Sequence, residues 1–137
     1  MLKAFLTHLS LVLTFRHDGS GLPEQYGPVA YVAAALAVMV EFARISVVDP
    51  ERLVTAMGII AIFWLIIRFV ASAPVFVMAA LAIMGVDLVF LALLLSPLTF
   101  DIEAVRMTLS VWTLGAMFTA IVRYNRRKTR ERNDRGL

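Results

Sequence analysis

The chain contains no cysteine, which excludes disulfides, thiolate chemistry, cysteine-ligated zinc and iron–sulfur clusters. Its two histidines, His8 and His17, both precede the first long apolar run, so a haem held between spanning helices has no ligands. Nucleophilic triads need a histidine too, and these two read as surface residues near lipid head groups. A glycine-rich phosphate loop, an H-E-x-x-H zinc motif and a G-x-S-x-G nucleophile elbow are all missing. No enzyme, no cofactor and no metal are expected. Charge is scarce as well: 17% of the 137 residues are charged and 61% are hydrophobic, whereas soluble domains lie nearer a quarter and a half. That balance points to a single-domain, all-α membrane protein.

What the chain has in plenty is apolar runs. Val29 to Val48 is apolar throughout except at Glu41 and Arg44, and as a helix its length of roughly 30 Å matches a bilayer's hydrocarbon core. Four such runs are punctuated by Pro28, Pro50, Pro74 and Pro97, at spacings of 22, 24 and 23 residues. Proline is tolerated in a helix's first turn and not in its interior, so each marks a helix start or the connection just before it. Asp49-Pro50-Glu51 reads as N-cap, first position and dipole-favoured acid. The spacing predicts helices over 29–48, 53–72, 75–95 and 103–123, within a bundle spanning 28–123. Short connections make consecutive helices antiparallel neighbours, hence a four-helix antiparallel transmembrane bundle.

Residues 1–27 precede the bundle. Lys3 ahead of an apolar stretch resembles a signal peptide, but RHDGSG follows in place of a small-residue cleavage site. Leu2, Phe5, Leu6, Leu9, Val12 and Leu13 share one helical face, with Lys3, Thr7, Ser10 and Thr14 on the other. The favoured reading is an amphipathic helix lying in the membrane interface, joined by a Gly- and Pro-containing connector; the alternative is a mobile N-terminus. The basic tail, 124–137, follows the last span. From Arg123 onward there are seven Lys/Arg against two Asp/Glu, so the net charge of +3 is a local property of that end. Its one aromatic, Tyr124, lacks the interleaved stacking residues of single-strand binders. The expected partner is therefore anionic lipid at the cytoplasmic face and not nucleic acid. Lys3, Arg16, Arg68, Arg123, Arg126, Arg127 and Lys128 are the candidate head-group ligands, Arg68 by extending from its span. Asp49, Glu51, Asp101 and Glu103 dominate the opposite side, so the positive-inside rule puts both termini in the cytoplasm of a bacterial-type inner membrane.

Charges inside spans are costly and need a reason. Glu41 lies about 10 Å below the outer end of its helix, and Asp87 nearly level with it. Arg44 and Arg106 lie just above. These four residues, from three helices, form a candidate cluster in the outer half of the membrane. Ala30, Ala34 and Ala37 share the stripe of Glu41 and Arg44, and small residues permit close helix approach; Gly115 and Thr119 offer a comparable patch on the last helix. Three readings stay open: mutual neutralisation that locks helices, a proton or ligand site, and a charge facing a partner subunit. Trp64, Trp112 and Tyr31 read as packing residues.

Four short helices with one acid, Glu41, in the first resemble the small multidrug resistance transporters, which work as dimers around such a glutamate. The likeness covers helix count and Glu41; that family's glycine- and tryptophan-rich helices have no counterpart, and no family is assigned. The leading expectation is a non-enzymatic accessory or scaffold subunit of a membrane complex, with a protein partner or a second copy within the membrane. The alternative is a small oligomeric proton-coupled transporter or channel using Glu41 and Asp87.

Overall fold

The computed structural model describes residues 2–136, without the side chains of Leu2 and Arg135. The predicted place of Leu2 on the apolar face lies outside what is described. The described chain is all-helical: α1 (Leu2–Leu13), α2 (Pro28–Val48), α3 (Leu53–Val70), α4 (Ala73–Leu94) and α5 (Ile102–Arg135). The last four, α3 together with the turn before it, are long and apolar enough to cross a membrane.

Proline sets most of the starts. Pro28 opens α2 behind an extended Gly27, and Pro74 stands in the first turn of α4 behind an extended Ser72, which ends α3 earlier than the spacing predicts. At Pro50 the expectation is corrected. Pro50–Arg52 is a separate 3₁₀ turn, and Asp49 makes no cap bond with its side chain; its carboxylate instead pairs with Arg52 at 3.3 Å. The working cap is Asp101, whose Oδ1 accepts from the backbone N–H of Glu103 at 2.9 Å and of Ala104 at 3.2 Å. The last helix runs beyond the expected end at 123 and takes in most of the basic tail. That tail is the last third of α5, because nothing between Arg123 and Asp134 breaks a helix and Glu131 supports Arg127 from one turn on, at 3.2 Å.

α4 is the axis of the fold. It is apolar on every side, as a helix surrounded by protein should be, and most of its residues are buried. α2 packs along it through Ala30, Ala33 and Ala37, with Ala34 half-buried, so the small stripe does face protein. Tyr26 closes one end of this contact by ring packing on Phe76 (5.4 Å) and by donating to Ala71 O (2.6 Å). α3 adds little beyond Ile60 and Trp64, the latter edge-on to Phe76 at 5.2 Å. α5 lays Ala116 and Ala120 against α4. No Cα of α3 comes within 8 Å of one in α5.

α1 is helical as expected, with Lys3, Thr7, Ser10 and Thr14 exposed. Its apolar side packs in part against protein. Val12 is fully buried and Phe5, Leu9 and Leu13 are half-buried against the core, while Leu6 faces outward. A Cβ built on Gly85 of α4 would lie 2.9 Å from Leu9 Cδ1 and 3.0 Å from both Leu13 methyls, so a side chain there would displace those two leucine side chains. α1 then ends in a Schellman arrangement: Phe15 N–H donates to Val12 O at 3.0 Å and Arg16 N–H to Leu11 O at 2.8 Å. The left-handed position usually given to glycine is held by Phe15 (φ +59°). Its ring packs on Trp112 (5.2 Å) and against Gly115, while Trp112 Nε1 donates to Leu13 O at 3.1 Å. Gly19 then meets Tyr124 and Pro74. Trp112 and Tyr124 are twelve residues, roughly 18 Å, apart along α5. The N-terminal segment therefore dips alongside α4 and α5 and returns.

Candidate functional site

Two elements deliver the buried charges. Arg44 stands one turn before the end of α2 and Asp87 two turns before the end of α4. Because the small stripe of α2 keeps these helices close, Arg44 Nε reaches within 2.7 Å of Asp87 Oδ1. The N–H is not aimed along that line, so the contact is a close ion pair without an aligned hydrogen bond. Glu41, one turn below on the same helix, lies 4.0 Å from Arg44 Nη2. Asp87 is 8% exposed, and its Oδ2 is buried with no hydrogen-bond partner among the described residues.

Of the four predicted cluster residues, then, the structure joins three. Arg106 is not bonded to the acids; it pairs with Glu103, one turn away on its own helix. It does line the same cleft, an opening of about 530 Å³ between α3 and α5 whose floor is α4. Phe63, Phe90, Leu109 and Leu114 supply apolar walls, and Ser110 and Thr113 stand on the α5 side. Both hydroxyls donate back to their own helix, to Arg106 O and Leu109 O at 2.9 Å each, leaving oxygen lone pairs toward the cleft. Two carboxylates and two guanidiniums line the recess, and the exposed Glu103 outside it draws Arg106 away from the acids. The site is a partly buried, apolar-walled recess in which two carboxylates share the nearer guanidinium, suited to a proton or a cationic group. Among the described residues no group of three or more His, Cys, Asp or Glu is placed to hold a metal ion.

The predicted small patch on α5 is used differently from expectation. Gly115 faces Phe15 of the N-terminal segment rather than another spanning helix. Thr119 donates to Gly115 O at 2.7 Å. Alanines one residue on, Ala116 and Ala120, make the contact with α4. In the sequence their signal is a small pair at i, i+4.

A second polar centre lies at the opposite end. Here the histidines are corrected: His17 is 2% exposed, not a surface residue. Gly19 N–H donates to His17 Nδ1 at 2.8 Å, which leaves the ring proton on Nε2, and that nitrogen lies 2.7 Å from His8 Nδ1. Burial, then the neighbouring His8, lowers the His17 pKa from 6.5 to about 4, against a smaller upward pull from Asp18; Arg127 adds to the lowering. Glu24 of the connector accepts from Lys128 Nζ at 2.6 Å and pairs with Arg127 at 3.6 Å. Those two of the candidate head-group ligands are thus engaged with protein, whereas Lys3, Arg16, Arg123 and Arg126 are exposed. Arg68 stacks over the Tyr26 ring at 3.7 Å and donates from Nε to Tyr31 OH at 3.2 Å. Tyr31 and Trp112 therefore serve as hydrogen-bond partners at half-exposed positions, and only Trp64 is buried packing.

The class defined by fold and site is an all-helical protein with four helices able to cross a membrane and a charged recess at one end. Comparison with protein families, curated proteins and solved structures finds no match to the chain.

Proposed function

We propose that the protein is a multi-pass, non-enzymatic accessory or scaffold subunit of a complex in a bacterial-type inner membrane. Its spanning helices form a four-helix antiparallel bundle with both termini cytoplasmic. The observation that carries the subunit reading is the separation of α3 from α5, which leaves the Arg44–Asp87 pair at the floor of a lateral cleft. An ion pair at that depth favours a neighbour that covers it. The antiparallel reading is supported by pairings at the two ends: Arg68 with Tyr31 and Lys128 with Glu24 at one, Arg44 with Asp87 at the other. Orientation is supported by Lys3, Arg16, Arg68 and the basic end of α5 on one side, and Asp49, Glu51, Asp101 and Glu103 on the other. Extraction in mild detergent followed by native sizing tests the reading. A lone monomer at every detergent level refutes it.

A second reading, a small oligomeric proton-coupled transporter or channel, is favoured by the two carboxylates that share one guanidinium while Arg106 is committed to Glu103. Proteoliposomes under a pH gradient carrying Glu41→Gln or Asp87→Asn decide it. Altered flux supports transport; unaltered flux with reduced yield of folded protein assigns the cluster a structural role.

A further inference from the structure

We propose that the cleft between α3 and α5 receives one apolar transmembrane helix of a partner protein carrying a single lysine or arginine, whose cation settles against Glu41 and Asp87. The proposal rests on the subunit reading and adds the chemistry of the partner. Three observations lead to it. The first is charge. Asp87 is more than nine-tenths buried and its Oδ2 has no partner among the described residues. Glu41 has only the distant edge of a guanidinium that Asp87 already occupies, at 4.0 Å against 2.7 Å. The remaining arginine of the recess is held by Glu103. Glu41 is left with the weaker share of one guanidinium, and a carboxylate poorly matched within the membrane is unfavourable.

The second is shape. Along α5 the cleft runs from Arg106 to Met117, eleven residues or roughly 16 Å, which is three helical turns. A volume of about 530 Å³ spread over that length is too narrow for a whole helix and suits a ridge of side chains at i, i+4 and i+7. The third is the character of the walls. Phe63, Phe90, Leu109 and Leu114 are matched by apolar side chains, and a lipid tail would satisfy them equally. A lipid tail brings no cation to the floor, however. A lysine or arginine on the inserted ridge does: its long apolar stem follows the walls and its head presents donors only.

The absence of native cysteine makes the test clean. A dye on Thr99→Cys, in the exposed connection before α5, reports energy transfer from labelled host peptides in phosphatidylcholine vesicles. The peptides are Leu/Ala transmembrane helices identical except for Lys, Leu or Glu at one position in the outer third. The expected result is at least tenfold tighter association of the Lys peptide than of the Leu or Glu peptide. That preference should fall to about threefold or less in Glu41→Gln, which keeps the Arg44–Asp87 pair and so keeps the fold, and in Asp87→Asn. Equal binding of Lys and Leu peptides overturns the proposal, as does a preference that survives both substitutions. Transfer between two labelled copies of the protein that the Lys peptide does not displace also overturns it, since the groove would then hold a second copy. Native sizing of the same preparation separates the two claims: a large complex with no Lys preference ends this proposal alone, and a permanent monomer ends the subunit reading.

Discussion

His17 supplies a prediction whose sign and size follow from its contacts. The ring is buried, its Nδ1 accepts from Gly19 N–H, and its Nε2 hydrogen points at His8. A proton added at Nδ1 would face the Gly19 N–H. That addition breaks the contact that seats the His17 ring in the connector, from which the ring reaches His8 of α1. Because the His17 pKa is lowered from 6.5 to about 4, the docked segment releases a proton that the detached one binds. Docking is therefore at full strength above about pH 6.5 and weakens as pH falls toward about 4. At ~1.4 kcal/mol per tenfold change in proton affinity, the interval sets a ceiling of about 3 kcal/mol; screening near the water edge brings the expected effect to about half of that. Hydrogen exchange at the Gly19 amide, corrected for its intrinsic pH dependence, measures it. Protection should drop roughly tenfold between about pH 6.5 and pH 5, and His17→Asn, whose carbonyl can still accept from Gly19 but does not titrate, should abolish the slope. Flat protection across that range in the unsubstituted protein would refute the tautomer argument.

Further outcomes are open to measurement. Arg44→Met should destabilise the bundle by about 3–5 kcal/mol, because it strands the Asp87 carboxylate, and Arg44→Met with Asp87→Leu should recover most of that; resistance to denaturing detergent reads both. Gly85→Val should cost about 1–3 kcal/mol by displacing Leu9 and Leu13, and should raise exchange in α1 before it affects α2. Asp101→Ala removes the cap of α5 and should lower stability by about 1 kcal/mol in a thermal-shift assay. Phe15→Gly relieves a left-handed backbone worth about 1–2 kcal/mol but removes the ring from Trp112 and Gly115. Increased exposure of Trp112 to an aqueous quencher is the expected result.

The apolar runs, the prolines and the small stripe of α2 made the helices legible before any coordinates. Each depends on local chemistry: a missing N–H, a run of about 20 apolar residues, a repeat of alanines on one face. Placing Glu41, Arg44 and Asp87 in one layer succeeded for a similar reason, since depth along a helix is a matter of counting residues. Counting does not say which way a side chain turns. Arg106 lies just above the acids and lines the same cleft, yet Glu103 is one turn away on its own helix and needs no tertiary approach, so the nearer partner takes it. The N-terminal segment shows the same boundary from the other side. Its amphipathic face was readable, but an apolar face is satisfied equally by lipid or by protein. Only the notch at Gly85, with Trp112 and Gly115 beside it, decided for protein, and those residues lie more than 70 positions away in the chain. The burial of His17 depends on the same docking, which is why a histidine that looked superficial is buried, with the half-buried His8 beside it. Composition and periodicity thus determined an all-helical chain with four segments able to span a membrane and acids beside arginine near one end. The open cleft, the sharing of Arg44 by two carboxylates at its floor and the folded-back N-terminus were decided by tertiary packing, because each depends on which of several available neighbours lies closest.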